Sequence, residues 1–152
     1  MSEETILAEM ETLFMALADK TRLRLLNLMR EDEICVCFFT EVLGESQPKI
    51  SRHLAYLRNA GLVSSRREGK WIHYSIEMPE TPSIARILSD TLEALKDEDY
   101  MQEDYDKLIN VCCAVAPPVT IARAPKPETL LEANMSEEPG ELEPQEIETF
   151  LL

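Results

Sequence analysis

Apolar residues recur every three or four positions through the first sixty residues, which is the spacing of helices that bury one face. A first helix is predicted over residues 4–17, and a second begins after Asp19, whose carboxylate suits an N-cap. A third, short helix is predicted over residues 33–43, and Gly44 is expected to end it. The N-terminal part of the chain is therefore predicted to be helical.

The fourth helix is followed by a change of period. It begins after Ser46, tolerates Pro48 in its first turn and ends at Gly61. In the next run, LVSSRREGKWIHYSI, apolar and polar residues alternate on either side of Glu68 and Gly69, which predicts a β-hairpin. Two helices joined by a short turn and followed by a basic hairpin indicate a winged helix-turn-helix. The predicted fold class is mainly α with a small β-hairpin.

The second half of the chain divides into three parts. After the chain-breaking stretch PETP, an apolar stripe from Ile84 to Leu95 predicts a long helix, and a further amphipathic segment runs to Cys112. Beyond Ala116, prolines and glutamates are typical of a disordered tail. The predicted division is a winged helix-turn-helix domain over residues 1–100, a helical extension over residues 101–116 that carries Cys112 and Cys113, and an acidic tail over residues 117–152.

Charge is distributed unevenly along the chain. The whole sequence carries a formal net charge of −14, which argues against nucleic-acid binding only if it is taken as an average. Residues 46–78 hold six basic and two acidic side chains, whereas residues 79–116 hold three and nine. A local basic patch is what contacts phosphates. The middle of the chain is therefore a candidate for binding double-stranded DNA.

The N-terminus and the apolar runs indicate a cytoplasmic protein without a membrane segment. The N-terminus is acidic and lacks the features of a secretory signal, and no apolar run approaches the ~18 residues of a membrane span. In the cytoplasm the four cysteines are expected to be free thiols, metal ligands or redox sensors rather than structural disulfides.

The fourth helix carries residue types that suit the major groove. With Ile50 at the centre of the buried face, Arg52 points away from the core and Ser51 and Arg58 flank it. Gln and Arg can form paired hydrogen bonds with adenine and guanine edges. Phosphate contacts are expected from Lys49, Arg66, Arg67 and Lys70. The alternative is a solvated basic face that packs on another protein.

The stretches ALADKTRLRLLNLM and EICVCFFTEVLGESQPKISRHLAYLRNAGLVSSRREGKWIHYSI, in this order, resemble the ArsR/SmtB family of metal-sensing winged-helix repressors. The resemblance runs from about Leu13 to Ile76. It implies a homodimer, built largely by the first and last helices, that binds a palindromic operator. His53 is interpreted as a packing or phosphate residue rather than a metal ligand. By motif position, the operator-contacting residues implied are Ser46, Gln47, Lys49, Ser51, Arg52 and His53.

The Cys-Val-Cys pair Cys35 and Cys37 resembles the soft-metal site of arsenite, cadmium and lead sensors in this family. The sequence departs from the arsenite repressors at Phe38, where they have an acidic residue, and at Thr40, where they have a third cysteine. Residues two apart on a regular helix also point about 160° away from each other. Both sulfurs can reach one ion only if the helix start unwinds or another segment meets them, and NVCC, directly before two prolines, is such a segment.

These observations lead to the hypothesis of a repressor that is released by As(III) or Sb(III). The ion is expected to bind three thiolates, from Cys35, Cys37 and one or both of Cys112 and Cys113, because thiolates select thiophilic ions. Cd(II), Pb(II) and Zn(II) stay open as inducers, and so does a thiol-redox or persulfide sensor of the same fold. A thiol enzyme is not expected, because the chain lacks Cys-x-x-Cys and a glycine-rich phosphate loop, and no histidine lies in either cysteine segment.

Overall fold

A computed structural model of the chain describes residues 3–112, 121 and 123–128. The predicted winged helix-turn-helix is confirmed, and each segment with a helical period contains a helix. The helices are α1 (Glu3–Leu17), α2 (Lys20–Met29), α3 (Val36–Leu43), α4 (Gln47–Asn59), α5 (Pro82–Lys96) and α6 (Asp99–Cys112).

Local capping fixes the helix boundaries near the predicted positions. The Asp19 carboxylate accepts a hydrogen bond from the backbone N–H of Arg22 at 3.0 Å, and Ser46 Oγ accepts one from the Lys49 N–H at 3.4 Å. Gly44 ends α3 with a left-handed backbone (φ 65°), a conformation that costs glycine little. The turn between α3 and α4 is thus set by a glycine C-cap and a serine N-cap.

The wing is part of a three-stranded antiparallel sheet with the order β1-β3-β2. The prediction that a helix covers residues 33–43 was wrong at its start, because Ile34 and Cys35 pair with Tyr74 and His73 instead. Both of these residues are buried, and the pairing gives their backbone groups hydrogen-bond partners. The strands are β1 (Ile34–Cys35), β2 (Val63–Glu68) and β3 (Trp71–Ile76).

The core lies between α2, α3, α4 and the base of the sheet, and it is closed by α1 and α5. On the predicted stripe of α5, Ile84 and Leu88 face this core, whereas Leu92 and Leu95 are only half-buried. Three large apolar side chains of α1 remain exposed, and they are Leu7, Phe14 and Met15.

Helix α6 is joined firmly to the same core, where it packs against α2, α3 and α5. The guanidinium of Arg24 donates two hydrogen bonds to the carboxylate of Asp104, at 2.7 and 2.9 Å, and both side chains are largely buried. Asn27 Nδ2 donates to the carbonyl oxygen of Met101 at 2.8 Å. Arg30 stacks on the ring of Tyr105 at 3.5 Å. These contacts attach the N-terminal half of α6 to α2 and to Arg30, which follows it.

The predicted tail over residues 117–152 lies mostly outside the described residues. Within its described part, Ile121 and Ala124 are buried and belong to the main core. None of the described helices is both long enough and apolar enough to cross a membrane.

We expect that Asp104→Ala lowers the free energy of unfolding by about 3 kcal/mol, because it leaves a buried guanidinium without its partner. Urea unfolding followed by circular dichroism measures the loss. The matched control is Asp106→Ala on the exposed face of the same helix, which should cost no more than about 0.5 kcal/mol. Equal losses in both variants would contradict a special role for the Arg24–Asp104 pair.

Candidate functional site

The sulfurs of Cys35 and Cys37 lie 3.3 Å apart, and the thiol of Cys37 donates a hydrogen bond to the sulfur of Cys35. They meet because Cys35 is the N-cap of α3 and has an extended backbone (φ −67°, ψ 139°) rather than a helical one. The regular helix start that would separate the two side chains is therefore absent. Two soft donors are already in contact at the junction of β1 and α3.

The two thiols differ in their protonation. The hydrogen bond from Cys37 lowers the pKa of Cys35 to about 6, and backbone N–H groups and the charge of His73 act in the same direction. The same hydrogen bond raises the pKa of Cys37, whose proton it uses, and burial raises it further. At neutral pH the pair thus holds one thiolate and one thiol, and a thiolate is the form that binds soft metals and reacts with oxidants.

The cysteine strand is tied to the wing by side chains as well as by backbone pairing. Nε of Arg66 in β2 donates to Glu33 Oε1 at 3.0 Å, and Glu33 lies two residues before Cys35. His73, opposite Cys35 in β3, is buried, and its Nε2 lies 3.0 Å from Glu68 Oε2. These contacts connect β1 directly to charged side chains of the wing.

The remaining predicted ligands are not part of this pair. Cys112 is buried at the last residue of α6, and Cys113 lies outside the described residues. Within the described part of the chain, no three His, Cys, Asp or Glu side chains are grouped so that they could hold a metal ion. Thr40, which stands where the arsenite repressors have a third cysteine, donates its hydroxyl hydrogen to the Cys37 carbonyl oxygen at 2.8 Å.

The predicted DNA-reading residues lie on α4, at its N-cap and on the wing. Ser46, Gln47, Arg52 and Arg58 are exposed, whereas Lys49, Ser51 and His53 are half-buried. All residues from Ser64 to Lys70 are exposed, which leaves Arg66, Arg67 and Lys70 accessible. We call the basic surface the set Lys49, Arg52, Arg58, Arg66, Arg67 and Lys70.

Several members of this set have partners within the protein. Lys49 forms an ion pair with Glu45 at 3.0 Å, and Arg66 is held by Glu33 and Glu68. Arg66 is exposed and the Lys49–Glu45 pair is half-buried at the surface, so phosphates can compete for both cations. His53 lies 3.4 Å from a guanidinium nitrogen of Arg22 and 3.8 Å from Asp19 Oδ1, which places it against the start of α2.

No pattern in the sequence indicated a function in this site for Glu33, Glu68 or His73. The alternation in β3 puts His73 on the same face as Trp71, but only the pairing with β1 buries it beside a thiol. A strand of two residues is too short to show a periodic pattern, so the sequence could not predict that His73 lies beside Cys35.

A titration of ultraviolet thiolate absorbance tests the hydrogen bond between the two cysteines. We expect one thiolate of the wild-type protein to form with a pKa of about 6. In Cys37→Ala the pKa of Cys35 should rise toward the value of an ordinary cysteine, about 8.5, because the donor that stabilises the thiolate is lost. Cys112→Ala is the control and should keep the transition near pH 6. An unchanged titration in Cys37→Ala would show that the hydrogen bond is not its cause.

Comparison with known proteins identifies the family. The profile described as "Bacterial regulatory protein, arsR family" matches residues 19–65, from the N-cap of α2 to the middle of β2. The chain is 49% identical over 79 residues to the arsenical resistance operon repressor of Escherichia coli (strain K12), which is 51% of this chain and 67% of that protein. It is 54% identical over 70 residues to the arsenic resistance transcriptional regulator ArsR1 of Pseudomonas putida, which is 45% of this chain and 54% of that protein.

Solved structures agree with the architecture. Reduced HlyU from Vibrio cholerae superposes with a TM-score of 0.52 and 29% identity over 62% of this chain and 92% of its own. The homodimeric winged helix-turn-helix domain of Mb0332 from Mycobacterium bovis superposes with a TM-score of 0.51 and 28% identity over 65% of this chain and 90% of its own. The chain therefore belongs to the ArsR family of bacterial regulatory proteins, which are transcriptional regulators with a DNA-binding winged helix and not enzymes.

Proposed function

We propose that the chain is a metalloid-responsive repressor that binds operator DNA as a homodimer and leaves it when As(III) or Sb(III) binds its cysteine thiolates. The observation that carries the proposal is the contact between the sulfurs of Cys35 and Cys37, 3.3 Å apart, on the segment that leads into the recognition helix. The names of the E. coli and P. putida relatives, which refer to arsenical and arsenic resistance, support the choice of ion.

The donor set fits a thiophilic ion in part. Cys35 and Cys37 supply two soft sulfurs, and such ligands select soft ions over Mg²⁺ or Ca²⁺. A third thiolate completes the coordination of inorganic As(III), and our candidates are Cys112 at the end of α6 and Cys113, which follows it. Helix α6, which ends at Cys112, packs against α3, the helix that carries Cys37.

Coupling to DNA follows from the position of the pair. Helix α3, which follows Cys35, packs against α4, and strand β1, which ends at Cys35, is paired with β3 of the wing. A ligand bound to both sulfurs replaces the hydrogen bond between them and changes the geometry at the junction of β1 and α3, which contacts both α4 and the wing. If occupancy disfavours the DNA-binding conformation, DNA must weaken ligand binding by the same factor, and such couplings are typically ~1–3 kcal/mol.

A dimer would cover the apolar face formed by α1 and the outer side of α5. Leu7, Phe14 and Met15 of α1 are exposed in the isolated chain, and the outer face of α5 is only half-buried. The Mb0332 domain is described as homodimeric, which supports the same arrangement here. A twofold dimer places two recognition helices about one DNA turn apart, so a small change in their separation is enough to lose one half-site.

A redox sensor is the second candidate, and the same two sulfurs favour it. A thiolate at Cys35 next to a thiol at Cys37 can be oxidised by a peroxide to a disulfide: the pair loses two electrons and the one proton of Cys37, and the peroxide O–O bond is reduced to water and hydroxide. Cd(II), Pb(II) and Zn(II) remain alternative ions for the same sulfurs. The experiment below compares all of these inducers.

Fluorescence anisotropy of labelled DNA from the promoter region next to the protein's own coding sequence tests the proposal. Titration with As(III) or Sb(III) should release the DNA, and Cd(II), Pb(II), Zn(II) or hydrogen peroxide should act more weakly. Cys35→Ser and Cys37→Ser should still bind DNA but should not be released, because the two-sulfur site is lost. Cys112→Ser and Cys113→Ser, tested separately, identify the third ligand. Release by peroxide alone would overturn the metalloid assignment in favour of the redox sensor.

A separate prediction concerns the ion pair between Glu33 and Arg66. Glu33→Gln should tighten DNA binding and steepen its dependence on salt by about one unit of log–log slope, because it frees one cation for a phosphate. The charge-matched control is Glu31→Gln, two residues away, which removes a negative charge but leaves the pair intact. Arg66→Gln should have the opposite effect on the slope. If Glu33→Gln and Glu31→Gln change the DNA affinity and its salt dependence equally, the effect comes from net charge and not from the Glu33–Arg66 pair.

A further inference from the structure

The C-terminal part of the described chain docks against the core. We call Ile121 and residues 123–128 the anchor segment. Its buried positions recur every third residue, at Ile121, Ala124 and Pro127, and the first two belong to the main apolar cluster. Lys126 and Glu128 are exposed. The anchor segment is thus held by apolar contacts and presents charged side chains at the surface.

A surface cavity of about 700 Å³ lies where the anchor segment meets the wing. Arg66 and Glu68 line it from the wing, and Lys126 and Glu128 line it from the anchor segment. The loop before β1 adds the three carboxylates of residues 31–33. Lys126 therefore shares the cavity with an excess of carboxylates, which favours the docked position, and Glu128 borders the wing.

The residues that follow the anchor segment carry charge of one sign. We call residues 129–152 the glutamate segment, because it holds seven glutamates and no Lys, Arg, His or Asp. The glutamates are Glu132, Glu137, Glu138, Glu141, Glu143, Glu146 and Glu148. Its charge is therefore opposite to that of the basic surface on α4 and the wing.

The glutamate segment begins within reach of the wing. Glu128 lines the same cavity as Arg66, and residue 129 is bonded to it. Four residues of chain span at most about 14 Å, which is the reach from Glu128 to Glu132 and also the length of wing from Arg66 to Lys70. The first glutamate can thus reach the wing, and the later ones have chain enough to reach α4.

The basic surface already accepts carboxylates. Arg66 Nε donates to Glu33 Oε1 at 3.0 Å, and Lys49 forms its ion pair with Glu45. Within the described part of the chain, no carboxylate forms an ion pair with Arg52, Arg58, Arg67 or Lys70. These four cations are open to an acidic segment as much as to phosphate.

We propose that the glutamate segment binds the basic surface of its own chain and competes with DNA for it. A single exposed ion pair is weak, but a tethered segment has an effective concentration on the order of millimolar and brings several carboxylates at once. The apparent DNA affinity then falls in proportion to the fraction of chains whose basic surface is uncovered. This inference goes beyond the proposed function, because it involves neither the cysteines nor a metalloid.

Zero-length cross-linking of the full-length protein tests the contact directly. A carbodiimide joins a lysine amine to a carboxylate that touches it, so amide bonds should form between Lys70 and the glutamate segment. Mass spectrometry of the monomer band from a denaturing gel restricts the links to one chain. Lys20 on α2 and Lys107 on α6 are exposed internal controls and should form few links with the segment. Excess duplex DNA should suppress the links of Lys70.

Fluorescence anisotropy of a labelled DNA duplex measures the competition. Neutralising four glutamates of the segment in the full-length chain should tighten DNA binding about tenfold at low salt, which corresponds to a surface that is covered about nine-tenths of the time. The gain should shrink as salt rises, because salt screens exposed charges. The substitutions are Glu137→Gln, Glu138→Gln, Glu141→Gln and Glu143→Gln.

A matched control removes the same net charge from exposed positions of α6 and the turn before it. The substitutions are Asp97→Asn, Asp99→Asn, Glu103→Gln and Asp106→Asn. The glutamate segment stays intact in this variant, so the DNA affinity should remain within about twofold of the wild-type value, since exposed charges beyond a Debye length are screened.

The outcomes decide between a specific contact and net charge. Equal tightening of DNA binding in the two fourfold variants would overturn the inference, because net charge alone would then account for it. Links from the segment to Lys20 or Lys107 as frequent as those to Lys70 would also overturn it. Neither measurement uses a metalloid, so failure of As(III) to release DNA would refute the proposed function and leave this inference standing.

Discussion

The pairing of β1 with β3 is the constraint on which the rest of this structure depends. It lasts for only two residues, Ile34 opposite Tyr74 and Cys35 opposite His73, yet it keeps Cys35 out of the helix that starts one residue later. Because Cys35 is extended, its sulfur meets that of Cys37 instead of pointing to the far side of α3. The same pairing joins the wing to the segment that carries the cysteines, so one two-residue pairing both brings the thiols together and connects them to the wing.

The electrostatics of the wing follow from that connection. The chain is strongly acidic, and its basic residues would be ineffective if acid and base were mixed evenly along the sequence. They are concentrated on α4 and the hairpin, where Arg66 is nonetheless held by Glu33 at the entrance to β1. This pair joins the sensing strand to a predicted phosphate ligand. Under the proposed function, phosphate competes with Glu33 for Arg66, and we expect DNA binding to loosen a contact next to Cys35.

Much of the fold could be predicted because it depends on local rules. Asp19, Gly44 and Ser46 mark helix ends through caps that involve only neighbouring backbone groups, and the hairpin follows from alternation. The site could be predicted only in part, since the identity of the two cysteines is visible in the sequence but their contact is not. It requires β1, which is too short to show a period, and a partner strand almost forty residues away. The attachment of α6 through Arg24 and Asp104 is equally non-local, because charges eighty positions apart carry no sign that they will meet.

The attachment of α6 affects which neighbours of α3 can be displaced when the geometry at Cys35 and Cys37 changes. Helix α3 contacts α6 as well as α4 and β3, so under the proposed function we expect a ligand on Cys35 and Cys37 to act on these three neighbours. Helix α6 resists displacement, because a buried ion pair and the amide of Asn27 tie it to α2. The wing is exposed from Ser64 to Lys70 and buries few side chains. Of these neighbours it therefore needs the least free energy to be displaced. A change at the start of α3 is thus directed away from the rigid helical side and toward the DNA-binding hairpin and the N-terminus of α4.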